Sequence, residues 1–182
     1  MDLAFEVRRL CAQVEHREIA VPAFLAACAR LISAAVTCSR AGIWVFEDAG
    51  NSRRLRCLAM HDGVNERLVR VPDETGDGVL AYFDALESTG HVMACDARTH
   101  FATAGFFAEH LESNGVQSLL AVAFSVNGAI YGAFTCTQVG AKREWTRTQL
   151  NRLRLIGSKL SLALANATRN ATDTQPVDLS CH

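Results

Sequence analysis

The sequence predicts an α+β fold organised around one central antiparallel β-sheet of about six strands, with helices on both faces. Three observations lead there. Helical and strand-like periodicities alternate along the 182 residues, so strands come in short groups separated by helices. The run "AVAFSVNGAIYGAFTCTQVG" (121–140) turns at Asn127-Gly128, a pair suited to a type I′ hairpin because both central residues need positive φ. That hairpin also carries no charged residue. Alternation places Leu120, Val122, Phe124 and Val126 on one face and Leu119, Ala121, Ala123 and Ser125 on the other. Half-solvated strands alternate apolar with polar, so a hairpin apolar on both sides belongs at the centre of its sheet and needs two covers.

Each element follows in order. Leu3, Val7, Leu10, Cys11 and Val14 repeat at helical spacing, as do Phe24, Cys28, Leu31, Ile32 and Ala35, where Pro22 suits a first turn. "AGIWVFED", "LRCLAM" and "RLVRVP" alternate and are joined by the turns "NSRR" and "HDG", a three-strand meander. After Pro72 the period becomes helical: Val79, Leu80, Phe83 and Leu86 mark a helix over 78–88, ended by Thr89-Gly90. "HVMAC" is a short strand and "DARTH" a loop, and Phe106, Phe107, His110 and Leu111 form a further helix that stops at Asn114-Gly115. The hairpin strands then span 117–126 and 129–138. Thr146 and Gln149 stand three apart as a capping box, opening a last helix to about 166 with its seam at Leu150, Leu153, Ile156, Leu160 and Leu164. The middle helices are expected on one face of the sheet and the N- and C-terminal helices on the other.

Residues 1–20 are expected to form an N-terminal helix, 21–167 one domain, and 168–182 a disordered polar tail. A formal net charge of −1 and the lack of a Lys/Arg run give no field for nucleic acid or anionic lipid. The N-terminus has charges every few residues and no apolar core of a secretory signal, and no stretch reaches membrane-spanning length, so a cytoplasmic protein is expected. The two Asn-x-Thr sequons at Asn166 and Asn170 then have no role. Seven cysteines contain no C-x-x-C pair, and in a reducing compartment they read as small buried hydrophobes, except Cys181 in the tail.

Two local patterns bear on chemistry. His91, Cys95, Asp96, His100 and His110 surround one predicted loop, and a metal site would need three or four of them to converge; a loop-capping Asp96 and a half-buried His110 are the simpler reading, and no metal is expected. "ETGDGV" (74–79) sets glycines before a helix but lacks the Lys-Ser/Thr ending of a phosphate loop, so it reads as a turn leading into the helix.

The segments "YFDALESTGHVMACDART", "FFAEHLESNGVQSLLAVAFSVNGAIYGAFTC" and "REWTRTQLNRLRLIGSKLSLALAN", in that order and spacing, resemble the GAF domain, the small-molecule sensing module of signalling proteins, over about 21–166. The closest likeness is to the bacterial type attached to histidine kinases and diguanylate cyclases. The resemblance implies a pocket between the sheet and the middle helices, with Tyr82, Phe83, Asp96, Arg98, Phe106 and Tyr131 around it, of which Asp96 and Arg98 would orient a ligand. It also implies a homodimer paired through the terminal helices, to which Leu25, Val36, Leu155 and Leu162 add apolar surface beyond what packing on a sheet requires, the alternative being that the N-terminal helix Asp2 to His16 folds back over the same patch and keeps the chain monomeric. No kinase, cyclase or DNA-binding module follows the last helix, so a sensor that stands alone or acts on a signalling protein in trans is expected.

Departures narrow the ligand without naming it. Cys95 replaces a frequent acid, His100 a common Asp, and Gln138 the start of a common Glu-His pair. The Asn-Lys-x-Phe-Asp-Glu signature of cyclic-nucleotide binding is absent, and the one Cys-His dipeptide is Cys181-His182 at the terminus, which argues against covalent bilin attachment. Any cofactor is left open. Two alternatives remain beside a sensor. One is a thiol enzyme similar to free methionine-(R)-sulfoxide reductase, for which Cys95 and Cys136 are the available pair. The other is a structural dimerisation module with a collapsed pocket, since Tyr82, Phe83, Phe106 and Tyr131 can fill a pocket as well as line it.

Overall fold

The computed structural model describes residues 2–49 and 52–172. Helix α1 (Leu3–Glu15) starts where Asp2 Oδ1 accepts the backbone N–H groups of Ala4 and Phe5, and α2 (Val21–Val36) has Pro in its first turn. Strands β1 (Arg40–Ala49) and β2 (Ser52–Asp62) pair antiparallel. Two short strands follow, β3 (Arg67–Leu68) and β4 (Glu74–Thr75), both against β2. Helix α3 (Leu80–Thr89), β5 (His91–Ala94), and a short α4 (Ala104–Phe106) running into a π-helical turn (Phe107–Leu111) come next. The hairpin β6 (Val116–Val126) and β7 (Ala129–Val139) and the long α5 (Arg147–Thr172) complete the chain.

The strand order is β3-β2-β1-β7-β6-β5, with β4 also on β2, so β6 and β7 lie inside the sheet as an all-apolar hairpin must. Asn127 (φ 53°) and Gly128 (φ 82°) both take the left-handed conformation that the turn requires. The two faces hold two cores. Leu120, Val122, Phe124 and Phe134 meet Phe24 and Ile32 of α2 and Leu153, Ile156, Leu160 and Leu164 of α5. Leu119, Ala121 and Ala133 meet Tyr82, Phe83 and Leu86 of α3 and Phe106. The helices are therefore distributed over the sheet as the sequence predicts.

The differences are local. The sheet has seven strands, because "ETGDGV" contributes β4, and "RLVRVP" supplies only the two residues of β3 before Pro72 removes a backbone donor. The capping box forms, with Gln149 N–H on Thr146 Oγ1 (3.2 Å) and Thr146 N–H on Gln149 Oε1 (3.0 Å). Helix α5 then runs to Thr172, beyond the expected end near 166. The rest of the expected tail, with Cys181 and His182, lies outside the described residues.

The middle helices are seated by a close approach of two backbones. A Cβ on Gly78 would lie 2.5 Å from the Gly105 carbonyl oxygen, and one on Gly105 would lie 2.7 Å from that of Gly78. Neither side of this contact is a flexible side chain, so the segment leading into α3 and the start of α4 touch only because both residues are glycine. Gly105→Ala is expected to destabilise the domain by about 1–3 kcal/mol, the usual range for overpacking, read as a lower urea midpoint with an unchanged slope.

Candidate functional site

A cavity of about 40 Å³ lies between the sheet and the middle helices. Strand alternation builds its floor. Trp44 of β1 points away from Ile43 and Val45, and Leu55, Leu119 and Thr135 arrive on the same face from β2, β6 and β7. Its roof is Tyr82 of α3 with Phe106 and Leu111, and Glu74 of β4 closes one side. Tyr82 and Phe106 meet edge to face, with centroids 5.5 Å apart. The buried Trp44 indole donates to Thr135 Oγ1 at 3.0 Å, so the one hydroxyl on the floor is held in place.

Glu74 is the chemically unusual member. The residue is 7% exposed, and its Oε2 lies 2.5 Å from His110 Nδ1 but outside hydrogen-bonding geometry. Burial above all, then the neighbouring charges of Asp73 and Glu109, push its carboxyl up to about 7. Burial likewise pushes the Tyr82 phenol up.

The structure does not gather the six residues expected around a pocket. Tyr82 and Phe106 line the cavity. Phe83 is buried in the same core but turns to Phe46, 4.7 Å away, with the Arg53 guanidinium over its ring. Asp96 and Arg98 belong to the loop after β5 and are held outside: Asp96 pairs with Lys142, which holds its carboxyl below the usual range, and the exposed Arg98 pairs with Glu112 and lies over Phe107. Tyr131 is on the opposite face, beside Phe124, with its hydroxyl 2.8 Å from Thr168 of α5. A β-bulge explains it. Ser125 pairs with Ile130 and Phe124 with Gly132, so Tyr131 is the extra residue and the alternation reverses there.

The other candidates disperse. Among the described residues no three His, Cys, Asp or Glu side chains gather as a metal site. His91 Nδ1 lies 2.9 Å from the Thr89 carbonyl, and His100 Nδ1 accepts the Ala102 N–H, with burial holding that imidazole below its ordinary value. Cys95 is half-buried and Cys136 fully buried, both in the core beneath the terminal helices and away from the cavity. Burial, then neighbouring Cys38, pushes the Cys136 thiol well up. Of the glycines of "ETGDGV", Gly78 serves packing, and Gly76 takes a φ of 102° with open space beside it.

Sequence reasoning did not single out Trp44, Leu55, Glu74, Leu111, Leu119 or Thr135 as cavity residues. Alternation carried from the hairpin into β1 and β2 could have found the floor. Glu74 gave no signal, because its burial comes from a two-residue strand that no periodicity marks.

A family model described as the GAF domain matches residues 21–164. No curated protein matches the sequence. Among solved structures, the phycoerythrobilin-bound GAF domain from a cyanobacterial phytochrome is similar with a TM-score of 0.70 and 15% identity, covering 94% of this chain and 98% of that one. The GAF domain from Acinetobacter phosphoenolpyruvate-protein phosphotransferase gives 0.66 and 13% identity, covering 93% and 97%. The Stigmatella aurantiaca phytochrome photosensory core module gives 0.67 and 14%, and this chain, matched over 92% of its length, spans 37% of it. At these identities the likeness is one of fold.

The Glu74 carboxyl makes stability depend on pH with a definite sign. Its folded pKa is raised, so its contribution is complete below the unfolded carboxylate value and is lost as pH rises through about 7. Glu47, Asp62 and Asp96 are shifted down and act oppositely, but only at acid pH. Between pH 5 and 8 the stability difference, Glu74→Gln minus wild type, is expected to move in favour of the variant, measured by thermal unfolding at each pH; a pH-independent difference would remove the buried acid.

Proposed function

The chain belongs to the GAF domain family, and on that premise we propose that it is a non-catalytic sensory domain. It takes a small ligand in the cavity between sheet and middle helices and reports occupancy through paired terminal helices to a signalling partner. The observation that carries this reading is the cavity itself, walled by Trp44, Tyr82 and Phe106 and bordered by a buried carboxyl, an apolar site with few polar groups. The bilin-bound GAF neighbours support a ligand-binding role, but a linear tetrapyrrole exceeds a space of about 40 Å³. The thiol-enzyme alternative loses ground because neither Cys95 nor Cys136 lines the cavity. No helix among the described residues is long and apolar enough to cross a membrane, in keeping with a cytoplasmic location.

The small cavity volume favours one other reading, a dimerisation module with a collapsed pocket. A fragment screen separates the two. The Trp44 indole N–H lies on the cavity floor, and some fragments of a few heavy atoms are expected to shift its resonance saturably while leaving Trp145 unchanged. A library that moves neither leaves the collapsed module.

Helix pairing rests on a narrower surface than the sequence suggests. Leu25 and Val36 are buried, and α1 folds back to pack on α2 and α5. Leu155 and Leu162, seven residues apart on α5, are still 50% and 60% exposed, and Phe5 of α1 is 55% exposed. An apolar strip of this kind is covered more often than left in water. Light scattering at micromolar concentration is expected to give a dimer mass for the intact chain and a monomer for Leu155→Glu/Leu162→Glu. A monomer in both sinks the paired-helix mechanism.

A further inference from the structure

The charges around the cavity restrict what it can hold. Glu74 borders it, Asp73 precedes Glu74, and Glu109 lies on the π-helical turn close enough to raise the Glu74 pKa further. Cations in the same region are engaged or outside the lining: Arg54 of β2 pairs with Glu47 and Asp73, and the His110 ring stands beside Glu74 Oε2. No hydrogen bond from a described residue reaches Glu74 Oε2, whose ion-pair neighbour is the His110 ring, although the residue is more than nine-tenths buried. Three aromatic rings, Trp44, Tyr82 and Phe106, make up the walls with aliphatic side chains between them. A carboxylate oxygen without a hydrogen bond beside aromatic faces is the environment that stabilises an organic cation, through an ion pair and through the ring quadrupoles. An anionic ligand would meet like charge in a desolvated space.

We propose that this cavity binds a small organic cation, a protonated amine on a short apolar body, with its ammonium on Glu74 and its carbon chain against Trp44, Tyr82 and Phe106. The proposal rests on the reading of the cavity as a ligand site. Its volume sets the size: a water needs roughly 10–15 Å³ of this measure, so about three or four non-hydrogen atoms fit without movement. The π-helical turn that carries His110 and Leu111 is the element whose shift would admit more.

The test compares three probes of nearly equal size, propylamine, 1-propanol and propionate, by the Trp44 indole resonance, assigned with Trp145→Phe. At pH 8 propylamine is expected to bind at least tenfold more tightly than 1-propanol, and propionate not to bind. The amine's advantage is expected to shrink as the pH is lowered to 5.5, where Glu74 is protonated, and the same series in His110→Gln takes the neighbouring imidazole out of the readout. The other charged groups of this region are Asp73, Glu109 and Arg54. Glu74→Gln is expected to abolish the advantage while keeping the alcohol's affinity. Equal binding of amine and alcohol, or an amine preference unchanged in Glu74→Gln, overturns the cation and leaves the cavity a ligand site. If no probe shifts Trp44, the ligand reading falls with it. Should Glu74→Gln not fold, the wild-type pH series decides, and equal amine affinity at both pH values overturns the proposal.

Discussion

A hairpin without charge and without a polar face must be covered on both sides, and the arrangement of the other elements follows from that. The strands of β6 and β7 place Leu120, Phe124 and Phe134 on one side and Leu119, Ala121 and Ala133 on the other. Exposing either side would leave a large apolar area in water at roughly 25 cal/mol per Å². One cover comes from α2 and α5, with α1 over them, and the other from the segments between β4 and β6.

The two covers are not equivalent. Helices α2 and α5 are long, and they lay continuous apolar stripes on the sheet, filling their side with Phe24, Ile32, Leu153, Ile156 and Leu160. The opposite side is covered by the ten-residue α3, three residues of α4 and a π-helical turn. Short elements leave gaps that long stripes do not. The cavity is thus a consequence of how the second cover is made. The Gly78–Gly105 contact brings the two parts of that cover together.

What was legible in the sequence follows the same division. The hairpin, its turn, the helix seams and the capping box are all repeating or strictly local patterns, and period-two and 3.6-residue arguments locate them well. The candidate site depends on features that break period. Tyr131 is expected on the pocket side by resemblance, and a single bulged residue turns it to the other face. Asp96 and Arg98 were placed there by resemblance, but in this chain Lys142 and Glu112 hold them at the surface. Glu74 is buried by a two-residue strand, too short to leave a pattern. On the other face, helix periodicity marks the apolar positions but not how deeply tertiary packing buries each, so Leu25 and Val36 read as surplus surface when they are core.

The sheet also sets how the two covers can influence each other. Thr135 holds the Trp44 indole on the cavity floor, and Phe134, the preceding residue of β7, lies fully buried under α5. Gly157 of α5 gives that ring its room, since a Cβ there would come within 3.0 Å of it. The cavity and α5 are therefore separated by one strand and linked by consecutive residues whose side chains point opposite ways. A ligand displacing Trp44 or Thr135 acts on the backbone that positions Phe134, and the closeness of Phe134 to Gly157 leaves little slack to absorb the motion. Proximity by itself supplies no coupling energy. A ligand shifts the helix only so far as it binds one position of β7 better than another, so a rigid floor, held by the Trp44–Thr135 bond, limits the response to ligands that compete with that bond.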